Sequence, residues 1–227
     1  VKPPRVGLYN PWGGNMDEGW TRWVLDKYEF PYTTLRDKDI RAGNLRAKFD
    51  VVLLPDASYD QMLNGFAPGS MPDEYVGGMS PRGVQNLMQF SADGGTLVAQ
   101  DSASELPLTI MGLPIRNSVS ALRDNEFYIP GALLRVAVDN SNPVAWGMPT
   151  EAAAFFTRSP VFDIGPRRGR FGDAREADPP KPAGIKVVAT YPTKDVLMSG
   201  WLMGERYLHN KAAIVEATVD KGRVVLL

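Results

Sequence analysis

The stretch Val51-Val52-Leu53-Leu54-Pro55-Asp56 decides the fold class of this chain of 227 residues. Its four apolar residues run continuously instead of alternating with polar ones, which is typical of a parallel strand that is buried on both faces. Pro55 and Asp56 end the strand, because both residue types favour turns. A similar run, Thr96-Leu97-Val98-Ala99, follows after a helical segment. Two such strands with a helix between them indicate an α/β sheet.

The residues before this stretch extend the alternation of strand and helix. Arg5-Val-Gly-Leu-Tyr9 and Tyr32-Thr-Thr-Leu35 are predicted strands, and Pro11-Trp-Gly-Gly14 has the composition of a turn after the first. Asn15 is a predicted N-cap of the helix between them, whose apolar residues recur at i, i+3, i+4 and i+8. Those residues form one helix face: Trp20, Trp23, Val24 and Tyr28.

The residues after Asp56 contain a second predicted helix. A surface loop is predicted over 57–79, and Ser80-Pro81 has the residue types of an N-cap and a first helical position. The apolar face of this helix is Val84, Leu87 and Met88, and Gly94-Gly95 ends it. Strands and helices that alternate in this way predict an open, doubly wound, mostly parallel sheet.

The second half of the chain has a different pattern, with many strands and few helices. This pattern predicts antiparallel additions to the parallel sheet, over residues 133–138, 153–157, 186–191, 196–199, 212–218 and 223–227. Residues 165–184 are rich in Pro, Gly and charge, which favours a flexible surface insertion over a phosphate- or nucleic-acid-binding arm.

Composition excludes several classes of site. The chain has no Cys and one His, which excludes disulfides, thiolate zinc sites, a Cys nucleophile and sites that need two His. The net charge of -1 gives no reason to expect a nucleic-acid partner. No apolar run is long enough to predict a membrane span. Because the chain begins at Val1 and ends on a predicted core strand, we expect it to be a piece of a longer protein.

A ligand-binding cleft is expected beyond the carboxyl ends of the strands, where such sheets bind ligands. Three segments should converge there, after the first, third and fourth predicted strands. Their candidate cleft residues are Asn10, Trp12, Gly13, Gly14, Asn15, Asp56, Asp101, Ser102 and Glu105. The first loop does not match the spacing of a nucleotide phosphate motif, and its acidic first helical turn disfavours an anion. Capping of the helix and binding of a polar or cationic ligand both remain interpretations.

Ser102 and Ser104 are the candidate nucleophiles, and His209 is the only candidate base. A serine in a strand-to-helix turn could act as a nucleophile, but no glycines flank these serines in the elbow pattern, and a helix cap is the simpler interpretation. The acidic residues near them, Asp56, Asp60, Asp101 and Glu105, do not have the spacing of a calcium loop, so no metal site is predicted.

Five motifs carry a resemblance to a known family: Arg5-Val-Gly-Leu-Tyr9, Pro11-Trp-Gly-Gly-Asn-Met-Asp-Glu-Gly-Trp-Thr-Arg-Trp23, Gly94-Gly-Thr-Leu-Val98, Asp101-Ser-Ala-Ser-Glu105 and Ser199-Gly-Trp-Leu-Met-Gly204. Together they resemble the C-terminal domain of large bacterial zinc carboxypeptidases of the carboxypeptidase A type. The resemblance spans nearly the whole chain. It implies a single domain over 1–227 with a flavodoxin-like, class I glutamine amidotransferase-like fold.

The chain departs from the catalytic patterns of both enzyme classes. Amidotransferases carry a Cys at the elbow and a His with a nearby Glu, whereas the elbow region here holds Ser102 and Ser104, and Lys211 lies two residues after His209. The metal ligands of zinc carboxypeptidases include two His. The resemblance therefore implies a non-catalytic accessory domain without a cofactor, whose partner is the zinc-containing peptidase domain of the same parent, in a periplasmic or extracellular setting.

Two other functions remain open. The chain could be a serine hydrolase that uses Ser102 or Ser104. It could also bind a carbohydrate or a peptide through Trp12, Trp146 and Trp201, because aromatic side chains on loops form stacking platforms. Packing of Trp146 and Trp201 on the core or in an interface is the simpler interpretation of those two residues.

Overall fold

The computed structural model describes residues 2–165 and 184–227, which form two compact units. The first unit holds the residues up to Gly112 together with Thr218–Leu227, and the second holds Leu113–Ala217. The second unit is thus inserted into the sequence of the first. The single domain over 1–227 stays a prediction. The predicted flexible insertion falls, except for its two end residues, outside the described residues.

Twelve strands and six α-helices are formed by the described residues. The first unit begins with β1 (Val6–Tyr9), α1 (Met16–Lys27), β2 (Tyr32–Leu35), α2 (Asp37–Ala42), α3 (Leu45–Lys48), β3 (Val51–Leu54), α4 (Tyr59–Leu63), α5 (Ser80–Ala92), β4 (Thr96–Ala99) and α6 (Glu105–Ile110). The chain continues with β5 (Ile115–Asn117), β6 (Ala132–Val138), β7 (Glu151–Phe156), β8 (Phe162–Ile164), β9 (Ile185–Thr190), β10 (Leu197–Gly200) and β11 (Ala212–Val219). It returns to the first unit with β12 (Gly222–Leu226).

The first unit is built on a parallel sheet in the order β2-β1-β3-β4-β12. Each neighbouring pair in this series runs parallel, with Leu8 opposite Leu53 and Leu53 opposite Val98. The order of strands along the sheet is 2-1-3-4-5 when these five are counted along the chain, which is the flavodoxin-like order. The predicted α/β fold class is confirmed.

One predicted strand takes a different place from the expected one. Residues 223–227 were expected among the antiparallel additions, but β12 pairs in parallel with β4, with Val224 opposite Leu97. The reason is visible in its side chains, since Val224, Val225 and Leu226 are all buried. A continuous buried run suits the interior of a parallel sheet. In β3, by comparison, Val52 and Leu54 are buried and Val51 and Leu53 are partly buried.

Helix α5 packs its apolar face inward, as its sequence predicts. Val84 and Leu87 are buried, together with Phe90, whereas the third predicted residue, Met88, is 37% exposed. The helix ends at Ala92, and Gly95, three residues later, lies against the ring of Phe90. A Cβ atom at that position would be 2.4 Å from Phe90 Cζ, so the helix and the start of β4 approach as closely as they do only because residue 95 is glycine.

Helix α1 has the opposite arrangement, with a polar face inward and an apolar face toward solvent. Its one buried residue is Glu18, which forms an ion pair with Arg22 one turn later. Thr21 is half-buried, and its Oγ1 donates a hydrogen bond to Gln100 Oε1 at 3.2 Å. The exposed large apolar side chains of α1 and its C-cap residue are those that the sequence groups on one face, together with Met16: Trp20, Trp23, Val24 and Tyr28.

The second unit is an antiparallel sheet with its own core. β6 pairs with β7 on one side and with β9 and β10 on the other, and β11 pairs with β9 and β8. The predicted antiparallel strands other than β12 are therefore present, while the three-residue strands β5 and β8 were not predicted. The core includes Leu134, Phe156, Tyr191, Val196 and Leu208. No helix in the described part of the chain is long and apolar enough to cross a membrane.

Candidate functional site

The candidate site lies in the first unit, where the strand order reverses between β1 and β3. The loops that follow these strands meet through Asn15. Its Oδ1 accepts hydrogen bonds from the backbone N–H groups of Asp17 (2.8 Å) and Glu18 (3.1 Å), so Asn15 is the N-cap that the sequence predicts. Its Nδ2 donates to the backbone oxygen of Asp56, which joins the loop after β1 to the loop after β3.

Asp56 extends this chain of contacts to the third predicted segment. Its Oδ1 accepts a hydrogen bond of 3.0 Å from the backbone N–H of Ser102, just after β4. Asn15, Asp56 and Ser102 therefore connect the three segments that were expected to converge. The polar groups of the cleft are largely used in holding these loops to one another.

The strand-to-helix turn after β4 has a left-handed backbone at Asp101, whose φ is +49°. Its backbone N–H donates to the carbonyl oxygen of Leu227 at 2.8 Å, so the turn is fastened to the end of the chain beside β12. Asp tolerates this conformation better than most residues. The left-handed conformation, which presents a side chain at the end of the strand, thus belongs to Asp101. The first candidate serine, Ser102, is the next residue.

The two candidate serines have different surroundings. Ser104 is fully buried, and its hydroxyl donates to the carbonyl oxygen of Ala99 at 3.1 Å, which ties the turn back to β4. This position is structural, because a buried hydroxyl that donates to a carbonyl group cannot approach a substrate. Ser102 is exposed, and its hydroxyl lies 3.3 Å from Asp101 Oδ1.

His209, the candidate base, belongs to the second unit, whereas both serines belong to the first. It lies in the turn that precedes β11. Its Nε2 is 3.7 Å from Glu205 Oε1, four residues earlier. This distance is too long for a hydrogen bond, and Nε2 is buried without a hydrogen-bond partner among the described residues.

Trp12, a candidate ligand contact, is already packed by protein groups. The guanidinium of Arg36 lies over its ring at 4.0 Å, and the ring of Tyr75 meets it edge to face at 4.7 Å. Arg36 also donates from Nη1 to the backbone oxygen and Oδ1 of Asn10, both at 3.0 Å. Trp12 and Asn10 therefore hold the loop after β1 in place, and a sugar ring that stacked on the same face of Trp12 as Arg36 would have to displace the guanidinium.

The remaining cleft residues leave a small open surface. A Cβ atom on Gly13 would lie 3.1 Å from Phe66 Cζ, whereas one on Gly14 would meet nothing within 4 Å. Glu105 is exposed at the start of α6. Among residues 2–165 and 184–227, no three His, Asp or Glu side chains come together as a potential metal site.

A buried pair beside this loop was not predicted from the sequence. Tyr9, the last residue of β1, donates from its hydroxyl to Asp37 Oδ1 at 2.7 Å, and both residues are buried. Burial raises the pKa of Asp37, against the opposing effects of Tyr9, Arg41 and Arg36. Burial also raises the pKa of the Tyr9 hydroxyl, and the Asp37 carboxylate adds to the rise. The only feature of the sequence that could have indicated this pair is the position of Arg36 and Asp37 directly after a predicted strand.

Trp146 and Trp201 lie in the second unit and are 71% and 61% exposed, so neither packs in the core. Trp146 is nevertheless held by an ordered turn. Asn142 accepts from the backbone N–H of Val144 at 2.9 Å and donates to Glu216 Oε2 at 3.0 Å, and both Asn142 and Glu216 are buried. The turn therefore presents Trp146 to solvent from a fixed support.

Comparison with known proteins identifies solved structures with a similar fold. No known protein-family model matches the chain, and no curated protein matches it in sequence. Among solved structures, it is similar to a ThuA-like protein from Bacteroides uniformis, with 9% identity, a TM-score of 0.51, and coverage of 100% of this chain and 82% of that chain. A cytoplasmic protein from Salmonella typhimurium is similar at 12% identity and a TM-score of 0.54, with 99% and 86% of the two chains covered.

The chain has a class I glutamine amidotransferase-like fold. The same fold is present in a β-galactosidase from Bacillus circulans sp. alkalophilus, at 14% identity and a TM-score of 0.55. That match covers 98% of this chain but 28% of the β-galactosidase, so there the amidotransferase-like fold is one part of a longer protein. At these identities the likeness extends to the fold alone.

Proposed function

We propose that this chain is a non-catalytic interaction domain that packs through α1 on a zinc carboxypeptidase-like domain of the same parent protein. The observation that carries the proposal is the outward face of α1, defined here as Met16, Trp20, Trp23, Val24 and Tyr28. Their side chains are 82%, 65%, 55%, 46% and 69% exposed. Contiguous apolar patches of this kind on a protein surface mark interaction sites.

The outward face of α1 cannot be buried by rotating the helix. The inward side is fixed by the Glu18–Arg22 ion pair, by the hydrogen bond from Thr21 to Gln100, and by the Asn15 cap. A rotation that buried Trp20 would break these contacts and expose the half-buried Arg22. The aromatic rings therefore stay available for a partner, and Trp and Tyr are residue types that contribute strongly to interfaces.

The proposed partner follows from the resemblance of the five sequence motifs to domains that accompany zinc carboxypeptidases. The β-galactosidase match supports the general arrangement, since there the fold is one part of a longer chain that is named for a hydrolase activity. In this proposal zinc is bound by the peptidase domain alone. The setting would be periplasmic or extracellular, as for the exported parents.

The positions of the serines support a non-catalytic role. Ser104 is buried, and the left-handed turn residue is Asp101 rather than a serine. A serine hydrolase that uses the exposed Ser102 is the alternative. A fluorophosphonate probe separates the two functions: labelling that Ser102→Ala abolishes would establish a hydrolase, and absence of labelling is expected for an interaction domain.

A second candidate function is favoured by one observation, the supported position of Trp146. A ring that is exposed on a fixed turn can stack on a carbohydrate or on a peptide side chain with little loss of conformational entropy. Titration with glycans and peptides, followed by tryptophan fluorescence, tests this role. A change that Trp146→Phe removes would support it, and an unchanged spectrum would exclude it.

The experiment for the main proposal measures binding of this chain to the zinc carboxypeptidase-like domain by calorimetry. Wild type is expected to bind, and the double variant Trp20→Ser/Trp23→Ser is expected to weaken binding by roughly 100-fold or more, because two interface aromatic residues are lost. The matched control is Trp201→Ser, which removes an equally exposed Trp from the second unit. The proposal is wrong if wild type does not bind, or if the double variant and the control bind equally well.

A further inference from the structure

The second unit contains an edge strand that lacks the usual protection against pairing. β7 pairs with β6 alone within the part of the chain that the structure describes. The β6–β7 register is regular over six residue pairs, from Ala132 opposite Phe156 to Ala137 opposite Glu151. Natural edge strands are usually short, bulged, or interrupted by Lys or Pro. The sequence of β7, Glu-Ala-Ala-Ala-Phe-Phe, has neither Lys nor Pro.

The hydrogen-bond pattern shows which backbone groups of β7 point away from β6. The N–H of Val138 donates to the oxygen of Thr150 at 2.9 Å, so Thr150 directs its backbone groups toward β6. In an antiparallel pair this direction alternates along the strand. Glu151, Ala153 and Phe155 therefore direct their N–H and C=O groups toward the free edge.

The side chains of these three residues lie on the exposed face of the sheet. Phe155 is 73% exposed and lies opposite Leu133, which is 41% exposed. The intervening residues, Ala152 and Ala154, pack against the core of the second unit. The edge is thus flanked by an apolar outer surface and by small side chains that allow another strand to approach closely.

We propose that β7 pairs antiparallel with β7 of a second copy of this chain, about a twofold axis at Ala153. The partner is a second copy because the strand is complementary to itself in this register. Ala153 would face Ala153, and Glu151 would face Phe155 of the other copy, so no two like charges are opposed. Three pairs of residues would each exchange two backbone hydrogen bonds, about six in total.

The charge distribution favours association of identical copies. Glu151 is the only charged residue of β7, and it already contacts Arg135 on β6 through an ion pair. The net charge of the chain is -1, so two copies repel each other only weakly. A single strand pair buries a modest area, and we expect a dimer with a Kd on the order of micromolar.

Sedimentation equilibrium of the whole chain over a range of concentrations tests the proposal. Ala153→Pro removes the N–H at the centre of the interface, and because that N–H points away from β6 the fold should be retained. Ala153→Lys places a charge at the same position and serves as a second variant if the proline destabilises β7. Either change should raise the dimer Kd by roughly 10- to 100-fold, since the central hydrogen bonds or the close approach are lost.

Two controls make the outcome specific. Met198→Lys adds the same charge to an exposed position of β10, which lies on the other side of β6 from β7, and should leave the dimer Kd within about twofold of the wild-type value. Trp20→Ser/Trp23→Ser should also leave it unchanged, which separates this interface from the outward face of α1. A wild-type chain that is monomeric at every concentration would overturn the proposal, and so would dimers that both Ala153 variants leave intact.

Discussion

Helices α1 and α5 flank strands of the same sheet, and the sequence predicts an apolar face on each. The apolar face of α5 packs inward, whereas that of α1 faces solvent. In α5, Leu87 and Phe90 are fully or almost fully buried. In α1, Trp20 and Trp23 are mostly exposed, and the buried residue is Glu18. Periodicity therefore identifies an apolar face but does not identify what covers it.

The two helices show that an apolar face can contribute either to the stability of the folded chain or to association with a partner. The apolar face of α5 contributes to the stability of this chain, because its side chains leave water when the chain folds. The apolar face of α1 contributes little to folding, and its apolar area remains available for association. Substitutions on the two helices should therefore affect different measurements, and the following three are ordered by the size of their expected effect on stability.

Leu87→Ala in α5 should cause the largest loss of stability, about 2–5 kcal/mol in the free energy of unfolding, because it removes a fully buried side chain and leaves a cavity. Urea denaturation followed by circular dichroism measures this change. Met88→Ala is the matched control on the same helix, since Met88 is partly exposed. A loss with Leu87→Ala that is no larger than the loss with Met88→Ala would contradict the inward packing of α5.

Glu18→Ala in α1 should reduce the free energy of unfolding by about 1–3 kcal/mol, because a buried carboxylate that accepts from a guanidinium is removed. Arg22 would keep only weaker contacts, with the Tyr32 ring at 5.5 Å and Thr34 Oγ1 at 3.4 Å. Asp17→Ala, in the same turn but exposed, is the control and should cost less. Equal losses for the two variants would mean that Glu18 does not pack inward.

Trp23→Ser in α1 should have the smallest effect, within about 1 kcal/mol of the wild-type free energy of unfolding, although it removes the largest type of side chain. The physical reason is that most of the Trp23 surface is already in water. Its ring contacts Trp20 edge to face at 6.1 Å, and loss of this contact accounts for the expected remainder. A loss comparable to that of Leu87→Ala would show that α1 buries its aromatic face within this chain.

The sequence predicted the elements of the parallel sheet well because each has a strong local signal. Buried parallel strands such as β3 are continuous apolar runs, and Asn15 has both the residue type and the position of an N-cap. The pairing of β12 was harder to predict. Its neighbours in the sequence are antiparallel strands, whereas its partner β4 lies more than half the chain away, and no local pattern encodes that distance.

The candidate site was predicted at the level of segments but not of side chains. The three loops could be located from the rule that such sheets bind ligands at their carboxyl edge, and Asn15, Asp56 and Ser102 do meet there. The packing of Trp12 between Arg36 and Tyr75 could not be derived, because it depends on the path of the long segment after β3. The left-handed backbone at Asp101 likewise depends on the carbonyl of Leu227.

The insertion of the second unit between β4 and β12 has a consequence for synthesis of the chain. β4 leaves the ribosome before the second unit, and its partner β12 follows only after that unit is complete. At translation rates of about 5–20 residues per second, one edge of β4 stays open on the order of 10 s. Open strand edges attract other chains, so we expect nascent molecules to be most prone to association during this interval. The unit that begins later in the sequence is thus the first that can fold to completion.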